Sequence, residues 1–294
     1  MEIVFDKISK NYKNKIALKD VSLTLKYGIY ALLGPNGAGK STMMNILACL
    51  LKQTDGQITL DGKNILSMGK EYRNILGYMP QDPGFYPNFS GYDIMMYFAK
   101  LKNIKNPKDE IDKLLEFVNL AGDSKRKYKE YSGGMKRRLG IGVSLLNDPE
   151  ILILDEPTAG LDPKERMRFR NIMSKIGSKK IIIIATHIVS DIETIADDVI
   201  LLKDGSIIKT DSPSNLAESL RGKVWLTEMD LNQAQDYVLN HTDSNIVKSN
   251  NKNYLKTVSD IKPFDNSVEC EPKLEDVYTY FFDEFGSNGD YTDD

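Results

Sequence analysis

The stretch GPNGAGKST, residues 34–42, constrains this chain more than any other. It carries the spacing Gly-x-x-x-x-Gly-Lys-Ser of a phosphate-binding loop. Residues 29–33 before it are apolar and strand-like, and residues 41–51 after it are helix-forming, so the loop joins a strand to a helix as the motif requires. The glycines let consecutive backbone N–H groups turn inward on one anion, and the following helix adds its positive N-terminal end. Gly34, Asn36, Gly37, Ala38, Gly39, Lys40, Ser41 and Thr42 are thus candidate phosphate ligands. Lys40 is placed to reach β- and γ-phosphates, and the Ser41 hydroxyl to hold Mg²⁺. Taken alone, the loop fits a kinase, a GTPase or a motor.

Composition narrows the setting. A chain of 294 residues holds one large domain and a smaller one. Its net charge of -3 implies no general affinity for nucleic acid. Cys49 and Cys270 lie far apart in different surroundings, which suits a reduced, cytoplasmic protein without a disulfide framework. The start MEIVFDKISK lacks the features of a signal peptide, and no apolar run approaches the roughly 18 to 20 residues that span a bilayer. The chain is expected to be soluble, so a membrane role requires a separate spanning subunit.

Residues 2–6 and 21–25 read as strands, the second alternating as a half-exposed sheet strand does. Tyr12, in the polar loop between them, is a candidate platform for stacking a base. Asp61-Gly62 signals a tight hairpin. Residues 75–79 form a short buried strand ending in Pro80-Gln81. The glutamine is either a polar exit from a sheet or a group that reaches the metal or the attacking water. Residues 92–102 and 109–120 place apolar side chains at helical spacing, among them Ile94, Met95, Ile111 and Leu115. These are core, or the wall of a docking groove for a partner, since the segment interrupts the alternation of strand and helix.

Ser132-Gly133-Gly134 precedes a strong helical pattern, and a serine N-cap with paired glycines can hold an anion. Residues 151–154 form a buried strand that delivers Asp155-Glu156 before Pro157 stops it, the usual Walker B arrangement with Asp155 toward Mg²⁺. Side chains alternate on a strand, so the two acids are expected to point apart, leaving Glu156 free as general base for water. Residues 180–185 form another buried strand, ending in Thr186-His187 at the edge where open α/β sheets bind ligands. The second histidine, His241, has no such context.

In this order the motifs resemble those of the nucleotide-binding subunit of an ATP-binding cassette (ABC) transporter. The resemblance covers residues 1–220, with Tyr12 as the A-loop aromatic, GPNGAGKST as Walker A, Gln81 as the Q-loop and YSGGM as the signature. ILILDE matches Walker B, AGLD the D-loop with Asp162, and His187 the switch histidine. It implies an α/β fold: a P-loop NTPase (RecA-like) core, an antiparallel β subdomain, and a helical signature subdomain over about residues 85–148. It implies a head-to-tail homodimer or heterodimer with ATP and Mg²⁺ as cofactors. Each ATP would lie between the Walker A loop of one subunit and Ser132, Gly133 and Gly134 of the other. Glu156 would polarise the attacking water, His187 would contact the γ-phosphate, and Gln81 would act with them. Ser41, Gln81 and Asp155 would hold the metal, and Asp162 would connect the subunits near the opposite site. An integral membrane permease is the implied partner, with this chain on the cytoplasmic face of the membrane and no nucleic acid involved.

The signature departs from the family's LSGGQ at Tyr131 and Met135. Beyond residue 220 the pattern changes to a small α+β accessory domain, residues 221–284, that regulates or joins the dimer, followed by an acidic tail, residues 285–294, expected to be disordered. In it, residues 224–230 read as a strand, 231–240 as a helix, and 245–258 as a hairpin across SNNKN. LEDVY near the end resembles bacterial two-component exporters of the ABC-2 or drug-resistance type. The competing readings are an importer ATPase and a soluble ATPase of the iron-sulfur assembly type. The span from Lys40 to Ser132 has room only for a compact helical insertion, which excludes the coiled coil of DNA-repair relatives.

Overall fold

In the computed structural model, which describes residues 1–13, 15–249 and 252–282, the N-terminal strands run well beyond their apolar stretches. β1 (Ile3–Tyr12) pairs antiparallel with β2 (Lys15–Leu25). The ladder needs only backbone groups, so polar residues extend it, and register shifts after Phe5, Ile8 and Lys10 absorb the irregular pattern. Tyr12 is therefore the last residue of β1, half-exposed, and not part of a loop. β4 (Asp55–Leu60) and β5 (Lys63–Asn64) complete this sheet in the order β2-β1-β4-β5, and Asp61 and Gly62 make their turn with φ of 46° and 80°.

The second sheet holds the phosphate loop. β3 (Gly28–Leu33) is buried throughout and leads through residues 34–39 into α1 (Lys40–Leu47). That helix ends earlier than expected because Ala48 caps it and Cys49 turns left-handed at φ 57°. Short helices α2 (Ile65–Met68) and α3 (Lys70–Asn74) lead to β6 (Leu76–Met79). Helices α4 (Gly91–Leu101), α5 (Lys108–Phe117) and α6 (Gly133–Ser144) pack on one another. There follow β7 (Ile151–Asp155), α7 (Pro163–Ile176), β8 (Ile181–Thr186), α8 (Val189–Ile192), β9 (Asp198–Lys203) and β10 (Ser206–Asp211). Strand order is β10-β9-β3-β8-β7-β6, with β9, β3, β8, β7 and β6 parallel. β7 and β8 lack alternation because both faces are covered. Ile3, Phe5 and Leu25 of the first sheet share one core with Met44 and Leu47 of α1 and with Ile153 and Ile183 of the second.

The chain divides into two units, Met1–Thr210 and Asp211–Asp294. This boundary falls before the 220/221 division expected from composition, because α9 (Pro213–Glu218) packs against α11 (Leu274–Phe282) of the second unit. That unit is built on an antiparallel sheet, β12-β13-β11-β14, from β11 (Val224–Glu228), β12 (Ser244–Ser249), β13 (Lys252–Val258) and β14 (Val268–Glu269). α10 (Leu231–Asn240) and α11 cover it, with Val224, Ala234, Leu255, Leu274 and Val277 buried. The expected hairpin is β12 with β13; its turn at 250–251 and the expected disordered tail, 285–294, lie outside the described residues.

Candidate nucleotide site

The C-terminal edge of the parallel sheet gathers most of the sequence-predicted residues into one cavity of about 240 Å³. Tyr12, Asn36, Gly37, Gly39, Lys40, Ser41, Thr42, Gln81, Asp155 and Glu156 line it. Gly34 and Ala38 do not line it: the Gly34 carbonyl accepts from Lys40 Nζ at 2.6 Å, and the Ala38 carbonyl accepts from the Gly205 N–H at 3.0 Å. The glycine spacing is enforced by neighbours as well as by the ligand. Gly39 has φ 111°, and a Cβ there would lie 2.5 Å from the Ala17 carbonyl.

The two acids follow β7 by different routes. Asp155 is its last residue, whereas Glu156 leaves the strand with φ 48°, its N–H still bonded to the Ala185 carbonyl at 2.9 Å. The alternation argument therefore fails here. Both carboxylates face the same cavity, because a residue in the left-handed region no longer follows the pleat. Glu156 Oε1 lies 3.0 Å from His187 Nδ1, and the Thr186 hydroxyl donates to Oε2 at 3.4 Å. His187 thus reaches the cavity through Glu156, and its own side chain is half-exposed.

Burial sets the electrostatics. It raises the Asp155 carboxyl above the usual range, opposed by a hydrogen bond from the Ser41 hydroxyl. Burial likewise lowers the Lys40 ammonium, and the charges of Glu156 and Asp155 work against that. The Ser41 hydroxyl and Asp155 carboxylate, already hydrogen-bonded beside Gln81, form a hard oxygen donor set that fits a small divalent cation.

Ser132, Gly133, Gly134 and Asp162 do not line this cavity. Ser132 is the N-cap of α6, its Oγ accepting from the Met135 N–H at 3.2 Å, and both Ser132 and Gly133 are exposed. Asp162 caps α7 by accepting from the Glu165 N–H at 2.9 Å, an intrachain task that its spacing before Pro163 allowed but sequence reasoning passed over. Tyr131, in the place of the family's leucine, is buried and donates its hydroxyl to the Asp123 carbonyl at 2.9 Å.

Two cavity residues were missed from sequence, Lys15 and Ala17. Lys15 pairs with Tyr12 across the hairpin, a signal available only once the register is known. Tyr12→Ala is expected to weaken ATP binding by about 5- to 160-fold and Tyr12→Trp to retain it, from the ~1–3 kcal/mol worth of base–aromatic stacking. Equilibrium titration with a fluorescent ATP analogue reads this, and equal affinity of the alanine variant and the parent chain removes the stacking assignment.

A family model described as "ABC transporter" matches residues 18–159. The lantibiotic transport ATP-binding protein SrtF of Streptococcus pyogenes is 38% identical over 222 residues, 74% of this chain and 95% of that one. This chain belongs to the ABC transporter ATP-binding family. The Nod factor export ATP-binding protein I of Burkholderia orbicola is 35% identical over 221 residues, 74% of this chain and 73% of that one. Among solved structures, a dimeric bacterial ABC transporter cassette matches with 26% identity and a TM-score of 0.66, covering 71% of this chain and 98% of that one. The same cassette in a post-hydrolysis state with ADP and Pi matches with 25% identity and a TM-score of 0.66, again over 71% and 98%. The cassette described here is an ABC ATPase, which binds and hydrolyses ATP. Among its described residues, no helix is long and apolar enough to cross a membrane.

Proposed function

We propose that this chain is the ATP-hydrolysing motor of an exporter, acting as a head-to-tail dimer beneath a separate membrane permease. The observation that carries this reading is the separation of the machinery into two places. The cavity collects Walker A, Gln81, Asp155 and Glu156, while Ser132 and Gly133 stand exposed on another element. A second copy turned head to tail brings its Ser132 hydroxyl and the N–H groups of Gly133 and Gly134 over the first copy's γ-phosphate. The positive end of α6 adds to that grip.

Within each site, Tyr12 stacks on the adenine, and the loop N–H groups with Lys40 take the β- and γ-phosphates. Glu156 accepts a proton from the attacking water. Its backbone turn and its contacts with Thr186 and His187 fix the carboxylate for that step. His187 reaches the γ-phosphate, and Asp162 holds the start of α7 so that the D-loop backbone before it meets the partner copy. Ser41, Asp155 and Gln81 would hold Mg²⁺, which when bound neutralises charge on the β- and γ-oxygens.

The permease meets α4. A cavity of about 340 Å³ there is lined by Asn88, Phe89, Asp93, Met96, Tyr97 and Lys100. Tyr86, Phe89 and Tyr97 expose large apolar surface around it, with ring centroids 5.0 and 5.7 Å apart. An apolar patch of this kind marks a docking site, and an amphipathic segment of the permease fits it, in keeping with a chain that works at the cytoplasmic face of the membrane. Export is the direction that the LEDVY ending and the Nod factor export relative support. The double variant Phe89→Ser/Tyr97→Ser is expected to lose at least about 10-fold in co-purification with the permease encoded beside it, since two aromatic anchors carry about 2 kcal/mol or more. Undiminished co-purification sinks the docking assignment, and a soluble partner in place of a membrane protein sinks the transporter reading.

A further inference from the structure

The face of α6 that carries Arg137, Gly140 and Ser144 lies along the strand exit that ends in Gln81. A Cβ on Gly77 would come within 2.1 Å of the Ser144 carbonyl, and one on Gly140 within 3.2 Å of Met79 Sδ and 3.3 Å of Pro83 Cγ. The helix therefore lies closely against the segment from β6 to Pro83, backbone on backbone at Gly77 and Ser144, and with Gly140 against the side chains of Met79 and Pro83. At the end of this seam nearest the nucleotide cavity, the Arg137 guanidinium donates from Nη1 to the main-chain carbonyl of Gln81. Its charge is close enough to Asp155 to oppose the upward shift of that carboxyl.

Arg137 lies one helical turn from Gly133 and Gly134 on the same side of α6. It thus stands between the helix end that presents the signature and the residue that lines the chain's own nucleotide cavity. A charged donor on a carbonyl is a strong link, and here it fixes the backbone of Gln81 while leaving the Gln81 amide free for the cavity. We propose that Arg137 is a positioning residue that ties the two half-sites of one chain together, so that the placement of Gln81 over its own ATP sets the placement of Ser132, Gly133 and Gly134 over the ATP of the partner copy. The inference rests on the head-to-tail dimer proposed above. Gly140 and Gly77 allow the close approach, and Arg137 supplies its polar end.

The test is a double-mutant cycle on the full chain with Arg137→Met, Gln81→Ala and the pair. Gln81→Ala keeps the main-chain carbonyl and removes the amide, so the two changes break the same connection at different points. Arg137→Met is expected to lower kcat about 10-fold, the loss that corresponds to one charge-assisted hydrogen bond. It should also bring the Hill coefficient for ATP toward 1, while ATP affinity at protein concentrations too low for dimers stays within about 2-fold of the parent. The double variant is expected to be no slower than the slower single variant, because the residues act through one link. Arg137→Lys, which keeps a cationic donor, is expected to recover most of the rate.

Multiplicative losses in the double variant overturn the proposal, and so does an unchanged Hill coefficient in Arg137→Met. Loss of ATP affinity at low protein concentration also overturns it, since Arg137 would then act on its own site alone. Failure of the dimer reading is seen separately. In that case Glu156→Gln forms no ATP-dependent dimer even with Arg137 intact.

Discussion

Glu156→Gln is expected to bind ATP as the parent chain does, to hydrolyse it roughly 100- to 10,000-fold more slowly, and to accumulate as an ATP-bound dimer. The rate loss is that of removing a general base. The amide keeps an oxygen able to accept from Thr186 and is nearly the size of the carboxylate, so the left-handed turn at Glu156 and the cavity wall persist. It cannot take the proton from water. Two ATP molecules would then stay between the subunits, and size-exclusion chromatography should show a doubling of mass with ATP that ADP does not produce. Turnover at the parent rate would show that another group is the base. His187 is then the first candidate, since its Nδ1 is 3.0 Å from the same carboxylate.

Gly133→Asp should abolish hydrolysis while leaving the fold and single-chain ATP binding intact. A Cβ at Gly133 meets nothing within 4 Å, and the residue opens α6, where a carboxylate favours the helix by about 0.3–1 kcal/mol. Instability therefore does not account for the loss. The new carboxylate would instead face the γ-phosphate of the partner copy, and two like charges at that distance oppose closure. Mixing Gly133→Asp with Lys40→Met decides whether the site is shared. Heterodimers of the two contain one composite site with an intact phosphate loop from one chain and an intact signature from the other. Activity in the mixture, from two inactive parents, is the expected result. No recovery, with heterodimers demonstrated by affinity tags, would mean that signature and phosphate loop act within one chain.

Much of the nucleotide site could be read from residues near one another in sequence. The phosphate loop needs glycines at set positions between a strand and a helix, all within residues 29–47, and the structure has that arrangement. β7 and β8 are legible as short branched-apolar runs because a strand covered on both faces favours such residues, and β6 as a short apolar run before Pro80. The N-cap of α6 was visible because Ser and Gly favour a helix start whatever packs on it. The family resemblance gives Asp162 a role between subunits, and the structure adds that its carboxylate caps α7 within the chain.

The order of residue types sets the local geometries, namely the anion-binding loop, the buried strands and the helix starts, and through their succession the family. Which side chains meet depends on the folded chain. Glu156 shares a cavity with Asp155 because its backbone departs from the strand where the neighbouring β8 holds its N–H, a constraint imposed from residue 185. Lys15 enters the cavity because the β1–β2 register sets it opposite Tyr12, and Arg137 finds Gln81 because two glycines let α6 lie against β6. The Glu156 and Arg137 contacts depend on partners far off in the chain and the Lys15 contact on a strand register, and a local pattern of residue types carries no record of either.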